Sequence, residues 1–150
     1  MSYELSIEIC GQGEDPNHRC HWGFMINRPA EYFGDLLHVR VIDLDRLWYQ
    51  FEYRSGSSLD DLQAVGKCKI ADLTLQQRQE AIELIKAEKA PIDGKRRCQD
   101  WVFDTLISLE VEDLVPPGTA EFWKGMIGKP AKEVRLSCGV GWTSFNQSYG

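Results

Sequence analysis

The 150-residue chain has no uncharged apolar run longer than about five residues, far below the roughly 18 that span a bilayer. It has no basic block either. Its 17 Lys and Arg are outnumbered by 23 Asp and Glu, a formal net charge of −6, which argues against nucleic acid as the main partner. The opening residues, Met1 to Ile9, lack the basic and apolar regions of a secretory leader, so a cytoplasmic location is expected. In that compartment the five cysteines are expected to stay reduced. Asn146-Gln147-Ser148 fits a glycosylation pattern that carries no weight there. Cys-x-x-Cys, the P-loop, Gly-x-Ser-x-Gly and His-Glu-x-x-His are all absent. Gly11-x-Gly13 lacks the rest of a dinucleotide fingerprint and opens no helix, so no cofactor is expected. Cys10, His18, Cys20 and His21 crowd soft ligands together, but without paired spacing and with His21 inside an apolar strand. No metal site is expected from them, and the cysteines other than Cys98 read as small, partly buried hydrophobes.

What is present is 43% hydrophobic and 27% charged residues, the balance of a soluble globular chain sized for one domain over 1–150. Residues 2–9 alternate strictly, with Tyr3, Leu5, Ile7 and Ile9 apolar, which predicts a half-buried strand. Further strands are predicted over 21–26, 36–42, 47–53 and 62–70, with Ser55 to Ser58 as a turn. The period then changes. Thr74 and Gln77 make a capping box that opens a helix ending near Lys89. A second helix is predicted from Cys98 to about Leu114, with Val102, Leu106 and Leu109 on one stripe. A third runs over 119–126, and Glu133 to Trp142 reads as a last strand. The fold class is α+β, a mostly antiparallel sheet with helices packed on it.

Cys98 carries the chemical signal. It lies where Gly94-Lys95-Arg96-Arg97 enters a helix. The positive end of a helix dipole favours a thiolate, three preceding cations add to it, and first-turn N–H groups can point at an oxyanion. A thiolate nucleophile needs a base, and there are three histidines, one of them (His18) in a loop. His21 and His38 sit in strands that can form a hairpin about residues 28–31, where opposed residues share a face. One imidazole would take the thiol proton and the other would orient it.

His21-Trp22-Gly23-Phe24-Met25-Ile26, then Leu36-Leu37-His38-Val39, then Cys98-Gln99-Asp100-Trp101-Val102 opening a helix resemble the circularly permuted papain-like (NlpC-type) superfamily. The likeness is to its lecithin:retinol acyltransferase-like and related branches and to small fungal proteins with the same three motifs. It covers roughly residues 20 to 115 in order and type. It implies a papain-like fold whose histidines precede the cysteine, and thiol acyl chemistry: hydrolase, thiol-protease-like amidase or acyltransferase. It places the base on His21, the nucleophile on Cys98 and the orienting role on His38. Arg97 stands where many relatives have Asn, and no membrane anchor follows, so a small-molecule or peptide acyl substrate is expected rather than a lipid.

In such an enzyme the N–H groups near Cys98 and Gln99 would stabilise the oxyanion. Asp43 and Asp100 are the alternative orienting residues, and Trp22, Trp48 and Trp101 are candidates for the cleft wall. Two other readings are open: a non-catalytic binding module on the same fold, and a small-molecule enzyme of specialised metabolism that uses the pocket without a covalent intermediate.

Overall fold

The computed structural model describes residues 2–15, 17–59 and 63–145. Five strands come first: β1 (Tyr3–Cys10), β2 (His21–Asn27), β3 (Phe33–Asp43), β4 (Trp48–Ser58) and β5 (Ala64–Leu73). Four helices follow, α1 (Leu75–Ala87), α2 (Cys98–Val111), α3 (Thr119–Lys124) and α4 (Ala131–Cys138), and then a short β6 (Trp142–Ser144). The fold is α+β. Its six strands form one antiparallel sheet in the order β4-β3-β2-β1-β5-β6.

The alternation of β1 puts Leu5, Ile7 and Ile9 into the main core with Trp22, Phe24, Ile26, Leu37 and Val39 from its neighbours. The helices close that core with Ile82, Ile85, Trp101, Val102, Leu106, Leu109, Trp123 and Val134. The other face of β1 is not solvated as a half-buried strand would be: Ser6 and Glu8 are 0% and 1% exposed. β1 is flanked by β2 and β5, and a second cluster of Met25, Leu36 and Leu59, packed with Phe145, covers part of the opposite face. The Thr74 capping box forms as the sequence predicts, with Gln77 N–H donating to Thr74 Oγ1 at 3.1 Å and Thr74 N–H to Gln77 Oε1 at 2.9 Å.

Three expectations fail. Ser55 to Ser58 is not a turn but the end of β4, because β3 begins at Phe33 and supplies partners for Ser57 and Ser58. Gly56, at φ 67°, takes up the irregularity. Residues 133–142 are not one strand. Pro130 precedes a helix whose inward residues, Ala131 and Val134, are three apart, whereas Leu136 and Val140 are exposed. Lastly, the cysteines are not all reduced. Packing of α4 against β5 brings Cys68 and Cys138 into a disulfide, with Cα atoms 6.2 Å apart across a sequence separation of 70. Cys10, Cys20 and Cys98 are the free thiols. Leu62, and with it the predicted start of the fifth strand, and Asn146 to Ser148 lie outside the described residues. Among the described residues no helix is long and apolar enough to cross a membrane.

Candidate active site

β2 and β3 position the two imidazoles. Phe24 stands opposite Leu37, so His21 and His38 lie on the same face but one side-chain step apart along the pair, not directly opposed. His38 instead faces Gly23, where an added Cβ would lie 3.0 Å from the His38 Cβ. The diagonal offset lets the rings meet edge-on. His21 Nε2 and His38 Nδ1 are 2.8 Å apart, with interplanar angle 75°.

The chain of contacts continues. His38 Nε2 is 2.8 Å from Glu52 Oε1, because Glu52 is the β4 residue paired with His38. Glu52 also accepts from Arg54 Nε at 2.9 Å and has Arg40 Nε at 3.8 Å from its second oxygen. The ionised carboxylate assigns the tautomers. His38 donates Nε2–H to Glu52 and accepts at Nδ1 from His21 Nε2–H, so the basic lone pair of His21 is on Nδ1. The hydrogen bond from His38 holds the Glu52 carboxyl below its usual range, helped by Arg54. Burial, reinforced by His38, pulls His21 down to about 4. Burial also lowers His38, against the pull of Glu52. Both rings are neutral at pH 7.

Cys98 is the first residue of α2 and lines the same cleft, of about 620 Å³, as His21, His38 and Glu52. The backbone N–H groups of Trp22 and Gln99 favour the ionised form of its thiol. Gln99 fixes this arrangement from within. Its buried side chain donates to Cys20 O at 2.9 Å and accepts from Gly128 N–H at 2.8 Å, tying α2 to the entry of β2 and to the segment before α4. No hydrogen bond joins Cys98 Sγ to either imidazole among the described residues.

The fold works against the resting thiolate that the sequence predicts. Burial pushes the Cys98 thiol up, and the two N–H groups only oppose it. The cations before Cys98 do not act together. Arg96 is held by Asp93 at 3.1 Å and Asp104 at 2.7 Å, and Lys95 is exposed, whereas Arg19, from the loop before β2, acts to lower the thiol.

The remaining candidates divide. Trp22 and Trp101 are core residues, with Trp22 packed on Trp123 at 5.1 Å and Trp101 on Phe24 at 5.7 Å, so neither indole lines the cleft. Trp48 is on edge strand β4, stacked with Arg46 at 4.9 Å, and is also outside the cleft wall. Asp43 accepts from Arg46 N–H at 3.1 Å and Asp100 from Arg97 N–H at 2.8 Å, so both carboxylates serve turns and not a histidine. Glu52 takes the place assigned to them. Its signal was available: an Asp-Leu-Asp-Arg turn over 43–46 puts residue 38 near residue 52. Tyr49 was also missed. It lines the cleft, and burial, then Cys98, raises its phenol, which keeps it a proton donor. His18 is exposed on Asp15 at 3.1 Å. No protein-family model, no curated protein and no solved structure matches the chain.

Proposed function

We propose that this protein is a cysteine-dependent acyl-transfer enzyme, an amide, ester or thioester hydrolase or acyltransferase, built as a permuted papain-like fold. The observation that carries the reading is the hydrogen-bonded series His21–His38–Glu52 in one cleft with Cys98, the first residue of α2. Cys98 Sγ attacks the acyl carbon, the S–C bond forms, and the thiol proton passes to His21. The positive charge on His21 is stabilised through His38 by the Glu52 carboxylate, in the manner of a triad's third member. His21 returns the proton to the departing nitrogen, oxygen or sulfur as its bond to carbon breaks. Water then adds to the thioester, or an amine does in a transferase, and Cys98 leaves as the thiol. The N–H groups of Trp22 and Gln99, and the Tyr49 phenol, are the donors available to the oxyanion.

The test is a panel of activated acyl esters, amides and thioesters, quenched in acid and analysed by peptide mass. The expected result is an acyl adduct on Cys98, absent from Cys98→Ala, with turnover lost in that variant. Turnover retained in folded Cys98→Ala supports a pocket enzyme without a covalent intermediate. No adduct and no turnover with any acyl class supports a binding module.

A further inference from the structure

The cleft is cationic on a chain that is acidic overall. Four arginines line it, Arg19, Arg40, Arg54 and Arg97, against the single carboxylate of Glu52. Glu52 already serves Arg54, Arg40 and His38. Arg19 and Arg97 have no ion-pair partner among the described residues. Of the carboxylates close to them in sequence, Asp100 accepts from the Arg97 backbone N–H at 2.8 Å, and Asp15 accepts from Asn17 N–H at 2.9 Å and is 3.1 Å from the His18 ring. The loop that carries Arg19 is pinned by Ala131 N–H donating to Gln12 O at 2.8 Å and Cys20 Sγ to Gly11 O at 3.3 Å, and the next residues are Cys20 and His21. Arg97 adjoins Cys98 at the start of α2.

Two guanidinium groups without ion-pair partners among the described residues, one from the loop before β2 and one adjoining Cys98, line one cleft with the thiol and suit a planar anion. The cleft also has an apolar part. Val41, Leu44 and Leu47 from the β3–β4 hairpin line the same cleft, and Leu44 is 74% exposed.

Building on the acyl-transfer reading, we propose that the substrate is an anionic acyl compound, one that carries a carboxylate close to the scissile carbonyl. The carboxylate docks on Arg19 and Arg97, and an apolar remainder lies along Val41, Leu44 and Leu47.

Alkylation tests this without knowing the substrate, because iodoacetate and iodoacetamide differ in charge and form the same S–C bond with loss of iodide. Rates at Cys98 in the full chain are measured by peptide mass at pH 8.5, with β-mercaptoethanol as reference thiol. The expected iodoacetate-to-iodoacetamide ratio at Cys98 is about ten-fold or more above the reference ratio, since one favourable charge contact in a partly desolvated site is worth about a factor of ten. The ratio should fall toward the reference in 0.5 M NaCl and in Arg19→Gln/Arg97→Gln, and return in Arg19→Lys/Arg97→Lys. A ratio at or below the reference, with Cys98 still the thiol that iodoacetamide selects, overturns the anionic substrate and leaves the nucleophile standing. Equal, unselective labelling of Cys10, Cys20 and Cys98 by both reagents overturns the nucleophile and the inference with it. The salt arm needs no variant and decides the matter even where the arginine changes disturb folding.

Discussion

Glu52 decides which nitrogen of each imidazole carries its proton, and this makes it the most informative single position to change. Glu52→Gln keeps a hydrogen-bond acceptor for His38 but removes the charge that offsets a proton on His21. We expect turnover per folded molecule to fall roughly 100-fold, the lower range for loss of acid–base assistance. His38→Asn should retain more activity than His38→Leu, because an amide still bonds His21. Equal near-wild-type rates in all three variants would remove the series from the chemistry. The resting charge state is testable separately. A thiol raised in pKa that shares its cleft with an imidazole held at about 4 is neutral at rest, and so is the imidazole; they are not a thiolate–imidazolium ion pair. Alkylation of Cys98 by iodoacetamide should therefore be slow at pH 6 and climb steadily past pH 9, and a plateau of fast labelling between pH 5 and 7 would show an ion pair instead. The histidines were placed on one face by hairpin spacing alone, but register was not legible, and with it went Glu52. The thiol's state was not legible either, because dipole and charge are read from neighbours in sequence whereas burial depends on the fold.

Elements with strong periodicity were legible: β1 and β2, and α1 with its capping box, match the pattern of their apolar residues. Those whose partners come from far along the chain were not. The Ser55–Ser58 segment is polar and Gly-containing, and only β3 makes it a strand. α4 carries apolar residues at alternate positions, and only its packing on β5 selects the helical three-residue spacing. The disulfide follows from the same packing, and it gives α4 a covalent tie to the sheet in addition to Ala131 and Val134. Denaturation without reductant should expose three alkylatable thiols, and with reductant five. Cys138→Ser should lower stability by about 2–4 kcal/mol while leaving the rate per folded molecule close to wild type, since neither Cys68 nor Cys138 lines the cleft. Urea midpoints and thiol counts on the same preparations check both halves. Five thiols without reductant would remove the cross-link.

Across the whole molecule the buried imidazoles make stability depend on pH, and the sign follows from which state binds more protons. His21 has an ordinary value of 6.5 and is held at about 4 in the fold. Between those values the unfolded chain binds a proton that the folded chain refuses, so stability rises with pH across this window and is lost as pH falls through it. His38, also lowered, acts in the same sense, and Glu52, lowered from 4.5, extends the loss to more acid pH. The groups facing His21 do not reverse this. Cys10, opposite it on β1, and Cys98 on α2 are neutral thiols. The guanidinium groups of Arg19, Arg40, Arg54 and Arg97 in the same cleft disfavour a second positive charge. Glu88 opposes the trend, since burial raises its carboxyl. From pH 7.5 to pH 5 the wild type should lose on the order of 2 kcal/mol through His21 alone, the result of about 1.5 pH units below its unfolded value. His21→Gln has no proton to gain and should show a flatter profile over that interval, whatever its stability at pH 7.5. The measurement is the urea midpoint of both proteins at half-unit steps from pH 7.5 to 5. Parallel profiles would mean that His21 titrates as it does in the unfolded chain, and the neutral imidazole pair would have to be abandoned.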